Sequence, residues 1–215
     1  MRKVIFIFCL SYSLFSIAQD KIKFGINTGV TYSNIRGNEI ADKNKYDFDF
    51  LLGTSFELPI NNKMSFFTGL NYERKSFKRK ILFEENLIEF DPFDPAFSQD
   101  AGFTAKATLS YLSIPLNIKY YLGRKNSFFL NGGLNTAIFL NLNSNIGNEK
   151  NGIKTFDFGF NLGFGKKIKL NEKTNLNIEI KDSYGLVNIS SIPVYNNGTV
   201  KTNSVNLILN WEFKI

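Results

Sequence analysis

"TFDFGFNLGFG", residues 155–165, separates by parity into two chemistries. Phe156, Phe158, Phe160, Leu162 and Phe164 fall on even positions; Asp157, Gly159, Asn161, Gly163 and Gly165 fall on odd ones. Successive side chains of a β-strand point to opposite faces, so a period of two marks a strand between unlike surroundings. One side must accept a wall of large apolar groups. The other must accept small and polar ones.

The same alternation recurs along residues 22–33, 46–58, 64–73, 112–120, 128–141, 176–186 and 205–213. The connections at 59–63, 123–126 and 169–174 are tight and rich in Asn, Gly, Lys and Pro. Those at 34–45, 78–107, 143–154 and 188–202 are long. Short turns at one end and long loops at the other predict an all-β, eight-stranded antiparallel up-and-down barrel. No linker or low-complexity tract divides it.

Alternation does not say which face is inside. A soluble, lipocalin-like ligand carrier would turn its apolar face to a cavity; a transmembrane barrel turns it to lipid. Three features favour the membrane. The minor face is rich in Gly, Ser and Asn, which suits a crowded lumen better than a water-facing surface. Tyr32, Tyr46, Tyr72, Tyr111 and Tyr184 gather at the long-loop end, while Phe24, Phe66, Tyr120, Phe128, Trp211 and Phe213 gather at the short-turn end. Two such girdles are expected at two lipid–water interfaces. The alternating segments are also long enough for tilted strands to cross the hydrocarbon.

The N-terminus supports export. Arg2 and Lys3 precede an apolar stretch, Val4–Ile17, and small residues stand before Gln19. This layout predicts a cleaved signal peptide over 1–18 and a barrel domain over 19–215. The single cysteine, Cys9, goes with the leader, and the chain has no histidine. Thiol and imidazole chemistry are thereby excluded from the mature chain, and with them the commonest metal ligand. The net charge of +7 falls to +5 without Arg2 and Lys3, a mild excess that does not point to nucleic acid. We expect no enzyme activity, no cofactor and no metal site.

Three stretches together carry a family likeness: "YLSIPLNIKYYLG" (111–123), "FDFGFNLGFG" (156–165) and "IEIKDSYGLVNIS" (178–190). They resemble the outer-membrane β-barrel family common in Bacteroidota, which includes PorT. The resemblance implies a porin-like barrel in the outer membrane and, for PorT itself, a link to type IX secretion. Fold carries over from such a likeness better than function does. Pro115 lies mid-strand, where a bulge or a missing ladder bond is expected. Asp182 falls on the lipid-facing parity, which is costly at depth.

Within the lumen, Glu57, Lys119, Glu179, Lys181 and Glu212 are expected to form one charge network, because isolated buried charge is expensive. A filled, register-fixing plug is the preferred reading and a narrow transport path the alternative, since eight strands enclose little more than side chains. Arg74, Lys75, Lys78, Arg79 and Lys80 ("RKSFKRK") are expected at the outer rim, level with lipopolysaccharide phosphates. The loop "EFDPFDPAFSQD" (89–100) offers a weaker calcium-like pattern. The expected role is structural, interaction-based or secretion-accessory, with envelope lipids and envelope or secretion proteins as partners.

Overall fold

The computed structural model describes residues 22–82, 102–147 and 152–215. The signal-peptide reading and the 89–100 loop lie outside the described residues. The strands are β1 (Lys23–Arg36), β2 (Lys45–Pro59), β3 (Met64–Leu82), β4 (Gly102–Leu122), β5 (Phe128–Ser144), β6 (Phe156–Lys169), β7 (Thr174–Gly185) and β8 (Lys201–Lys214). Each pairs antiparallel with the next, and β8 returns to β1 to close the ring. Closure removes the unpaired edges that an open sheet would leave. A single turn of helix, α1 (Glu39–Asp42), sits in the β1–β2 connection, capped by the Asn38 side chain.

The apolar face is outside. Phe156, Phe48, Leu162 and Ile180 are each at least 60% exposed, whereas Asn161, Asn177, Asn206 and Ser204 are buried in the interior. An apolar belt running round the whole ring far exceeds the patches that water-soluble surfaces tolerate. A lipid bilayer is the solvent that such a belt requires. This arrangement is the reverse of a lipocalin-like carrier. On the belt, Tyr32 packs against Tyr46 and Phe48 at 4.8 and 4.6 Å towards the long-loop end, and Phe128 stacks on Phe164 at 5.9 Å towards the short-turn end.

Two short turns use the same device. The Asn61 side chain accepts from the Lys63 and Met64 amides, and Asn171 accepts from Lys173 and Thr174. A side-chain amide thus satisfies backbone donors that a tight reversal would orphan. The third turn places Gly123 at φ +78°, which glycine adopts without a Cβ clash.

The structure departs from the sequence reading at Tyr111, which is buried inside the barrel rather than set in the outer girdle, and over residues 78–107. Both ends of the connection expected over 78–107 are strand: β3 runs to Leu82 and β4 starts at Gly102, paired through Lys78↔Lys106 to Leu82↔Gly102. Polar and charged residues occur here on both faces, so the alternation that marks a lipid-embedded strand fades while backbone pairing continues. At Pro115 the second of the two expected outcomes holds, a gap in the pairing rather than a bulge. Pairing between β3 and β4 lapses beside it and resumes in the same register, because proline lacks only its own amide donor. Register shifts instead occur between β2 and β3 around Tyr46/Leu51 and between β4 and β5 at Ser110/Tyr111. Asp182 stays in register opposite Leu162 and Val205 and is exposed on the lipid face.

Candidate functional site

The lumen near the short turns is organised around one carboxylate. Glu57 on β2 accepts from Lys23 Nζ of β1, from Lys119 Nζ of β4 at 2.8 Å and from the Tyr121 hydroxyl at 2.7 Å. Lys23 also lies 3.7 Å from Glu212, which accepts from Asn175 at 2.7 Å and from Asn177 at 3.2 Å on β7. Contacts therefore run β4–β2–β1–β8–β7 across the interior. Lys119 is fully buried, and its ammonium sits 4.6 and 4.5 Å from the ring centroids of Phe67 and Phe129. A desolvated cation held by a carboxylate and aromatic faces is stabilised where an unpaired one would be very costly.

Small residues of β6 make room for this packing. The Glu179 carboxylate lies over Gly163, and the Phe129 ring over Gly165, where any Cβ would collide with them. This explains part of the small side of the quoted stretch: Gly163 and Gly165 receive side chains from the neighbouring strands β7 and β5. Above this level an amide chain links Asn177 to Asn210, Asn210 to Asn27 and Asn27 to Asn71, at 2.8, 2.7 and 2.8 Å.

Of the five lumen residues expected to act together, Glu57, Lys119 and Glu212 join through Lys23. Glu179 accepts separately from Asn131 at 2.8 Å. Lys181 is buried, yet no carboxylate lies within ion-pair distance of it among the described residues. Sequence reasoning missed Phe67, Tyr121 and Phe129. Each is the odd member of an aromatic doublet (Phe66-Phe67, Tyr120-Tyr121, Phe128-Phe129) whose even member faces out. The doublet was the available signal: a second aromatic on lumen parity needs a cation or a glycine to meet it.

The basic stretch on β3 needs correction. Lys75 does not reach the rim; it is buried, 3.5 Å from Asp157 and 3.2 Å from the Thr202 hydroxyl, which donates to Asp157 at 2.7 Å. Its odd position places it inside with Glu73, which accepts from Ser204 and Asn206. Arg74 pairs with Asp49 at 3.2 Å and stacks over Phe50. Lys78 and Lys106 share Asp47, at 3.0 and 2.7 Å. Asp47 and Asp49 thus serve β3 and β4 near the long-loop end, apart from the Glu57 network. Arg79 is half-buried and Lys80 exposed beyond them. Among the described residues, no group of three acidic side chains is placed to hold a metal ion.

Among solved structures, the chain is similar to Neisserial surface protein A, with 10% identity over 89% of this chain and 97% of that one and a TM-score of 0.48. OprG from Pseudomonas aeruginosa gives 18% identity over 91% and 98%, with a TM-score of 0.47. Ail of Yersinia pestis gives 13% identity over 90% and 99%, with a TM-score of 0.42. No curated protein matches in sequence. A family model described as the outer membrane protein beta-barrel domain matches residues 17–191, from ahead of β1 to beyond β7. The chain belongs to that family, and its eight-stranded ring with an apolar exterior is an outer-membrane β-barrel.

Proposed function

We propose that this barrel is a closed envelope scaffold that works through its surfaces rather than as a channel. The carrying observation is the Glu57 centre, where donors from β1 and β4 meet a β2 carboxylate inside the barrel. A narrow eight-stranded interior crossed by such contacts leaves no room for a continuous water column. Planar-bilayer recording should show little or no steady conductance for the wild-type protein. A large, persistent open state would overturn this reading in favour of a transport pore.

The finer role is that of an interaction or secretion-accessory protein of the PorT kind, supported by the resemblance in residues 111–123, 156–165 and 178–190. Affinity purification from native membranes should recover other envelope or secretion components. Recovery of the barrel alone would count against that role. Arg79 and Lys80, which lie beyond the Asp47 pair towards the long-loop end of β3, are the members of the basic stretch proposed to meet lipopolysaccharide phosphates. The mature chain should begin at Gln19 by intact-mass measurement, and retention of Lys3 would reject cleavage.

A further inference from the structure

We propose that the extracellular mouth of the barrel is a preformed binding pocket for a small, uncharged, largely hydrocarbon molecule. Above the polar lumen the interior changes character. A cavity of about 370 Å³ opens there, walled by Ile35, Phe77, Leu109, Leu142, Ile189 and Val200. Its size falls within the range of small-molecule sites, roughly 300–1,000 Å³. The side chains come from β1, β3, β4, β5 and the β7–β8 connection, so the cavity is walled by several elements rather than lying along one groove.

Two features show that the pocket is built into the backbone. The extra residue Leu140 between the pairs Tyr111↔Phe139 and Ser110↔Asn141 resets the parity of β5. Leu142 then lines the cavity, while Asn141 and Asn143 are exposed. The loops behind the walls are also hydrogen-bonded: Lys154 N donates to Ile189 O at 2.7 Å, Ile189 N to Val200 O at 2.8 Å, and Phe139 N to Thr155 O at 2.8 Å. A site held open in this way costs little to organise on binding. Beneath it, Tyr111 is fully buried against Leu109, Ala137 and Ile189, with the Lys75 ammonium 5.1 Å from its ring centroid. Tyr111 separates the apolar mouth from the Lys75–Asp157 pair.

The lining chemistry selects the occupant. No charged side chain lines the cavity among the described residues, and the Ser144 hydroxyl accepts from the Ile146 amide. Lys106, next to the wall residue Ala107, is committed with Lys78 to Asp47. A carboxylate, phosphate or sugar would lose its hydration and gain no partner. An aliphatic chain or a single alkylated ring loses nothing by entering.

Methyl NMR of the barrel in lipid nanodiscs tests this with a matched pair, p-cymene and 4-isopropylbenzoate. The methyls of Leu109, Leu142, Ile189 and Val200 should shift saturably with p-cymene. Those of lipid-facing Leu134, Leu162 and Leu207 should drift linearly as the probe partitions into lipid. The benzoate should bind at least ten-fold more weakly at the pocket methyls. Ala107→Phe, which fills one wall, should abolish saturation while the unheated protein keeps its folded gel mobility; Val200→Phe serves from another wall if the first variant does not fold. Absence of saturation in the wild type, its survival in a folded filled-pocket variant, or equal affinity for the benzoate would overturn the proposal.

Discussion

At the periplasmic end of the lumen, Glu57 gathers Lys23, Lys119 and Tyr121, and aromatic rings flank the buried ammonium. At the extracellular end the same strands close around Leu109, Leu142 and Ile189, with charge kept below Tyr111 or bound up on Asp47. The first region obeys strict alternation from Lys23 on β1 to Glu212 on β8. In the second, one extra residue in β5 shifts the alternation, so that Leu142 faces inward on an even position. A lumen can therefore change its chemistry along one axis without any change of strand number, because parity is a local property of register.

The largest expected effect lies at the periplasmic end. Glu57→Leu leaves Lys119 and Lys23 without their shared carboxylate, and uncompensated buried charge costs about 3–5 kcal/mol. Guanidinium unfolding in lipid vesicles should show a loss of that order. Adding Lys119→Met should recover most of it, since the stranded cation is then gone. A loss below about 1 kcal/mol for Glu57→Leu would mean that water already screens the centre. At the extracellular end, deleting Leu140 should remove the bulge while Asn141 stays opposite Ser110 and Leu142 opposite Leu109, so that Leu142 still faces the cavity. The cost should not exceed the loss of one leucine side chain, about 1.5–3 kcal/mol. The barrel should still fold, and the pocket methyl response should survive. Gly163→Leu should cost about 1–3 kcal/mol by the same assay, because it drives a side chain into the space of the Glu179 carboxylate.

This contrast also explains what the sequence could reveal. Strand number, order, closure and sidedness follow from a period-two pattern that lipid enforces on every strand, as residues 156–164 already display. The lumen centre was partly legible: Glu57, Lys119 and Glu212 lie on the polar face of their strands near the short turns, but their partners Tyr121 and Phe129 were hidden beside Tyr120 and Phe128. Lys75 was misplaced because a run of basic residues looks like a solvated rim, although its odd position sends it inside to Asp157. The mouth was legible only in part: Ile35, Phe77 and Leu109 keep the lumen parity of their strands, but Leu142 does not. Once the extra residue at Leu140 resets the alternation, leucine on even parity no longer means lipid.

The smallest effect concerns a carboxylate on the other side of the wall. Asp182 is exposed between Leu162 and Val205, and Val205 in turn pairs with Tyr32 of the outer aromatic belt. It also stands two residues below Tyr184, whose ring stacks under Arg36 at 3.5 Å. These neighbours place Asp182 near the outer interface, where a lipid-facing charge costs about 0–1 kcal/mol rather than the larger midplane penalty. Asp182→Leu should therefore stabilise the barrel by less than about 1 kcal/mol in the same vesicle assay. The sign is opposite to that for Glu57→Leu although the same functional group is removed, because Glu57 is paired in the lumen and Asp182 faces lipid with no ion-pair partner among the described residues. A gain above about 2 kcal/mol would put Asp182 deep in the hydrocarbon and shift the whole belt towards the extracellular side. A loss of stability would instead reveal that the carboxylate has a partner on the outer surface.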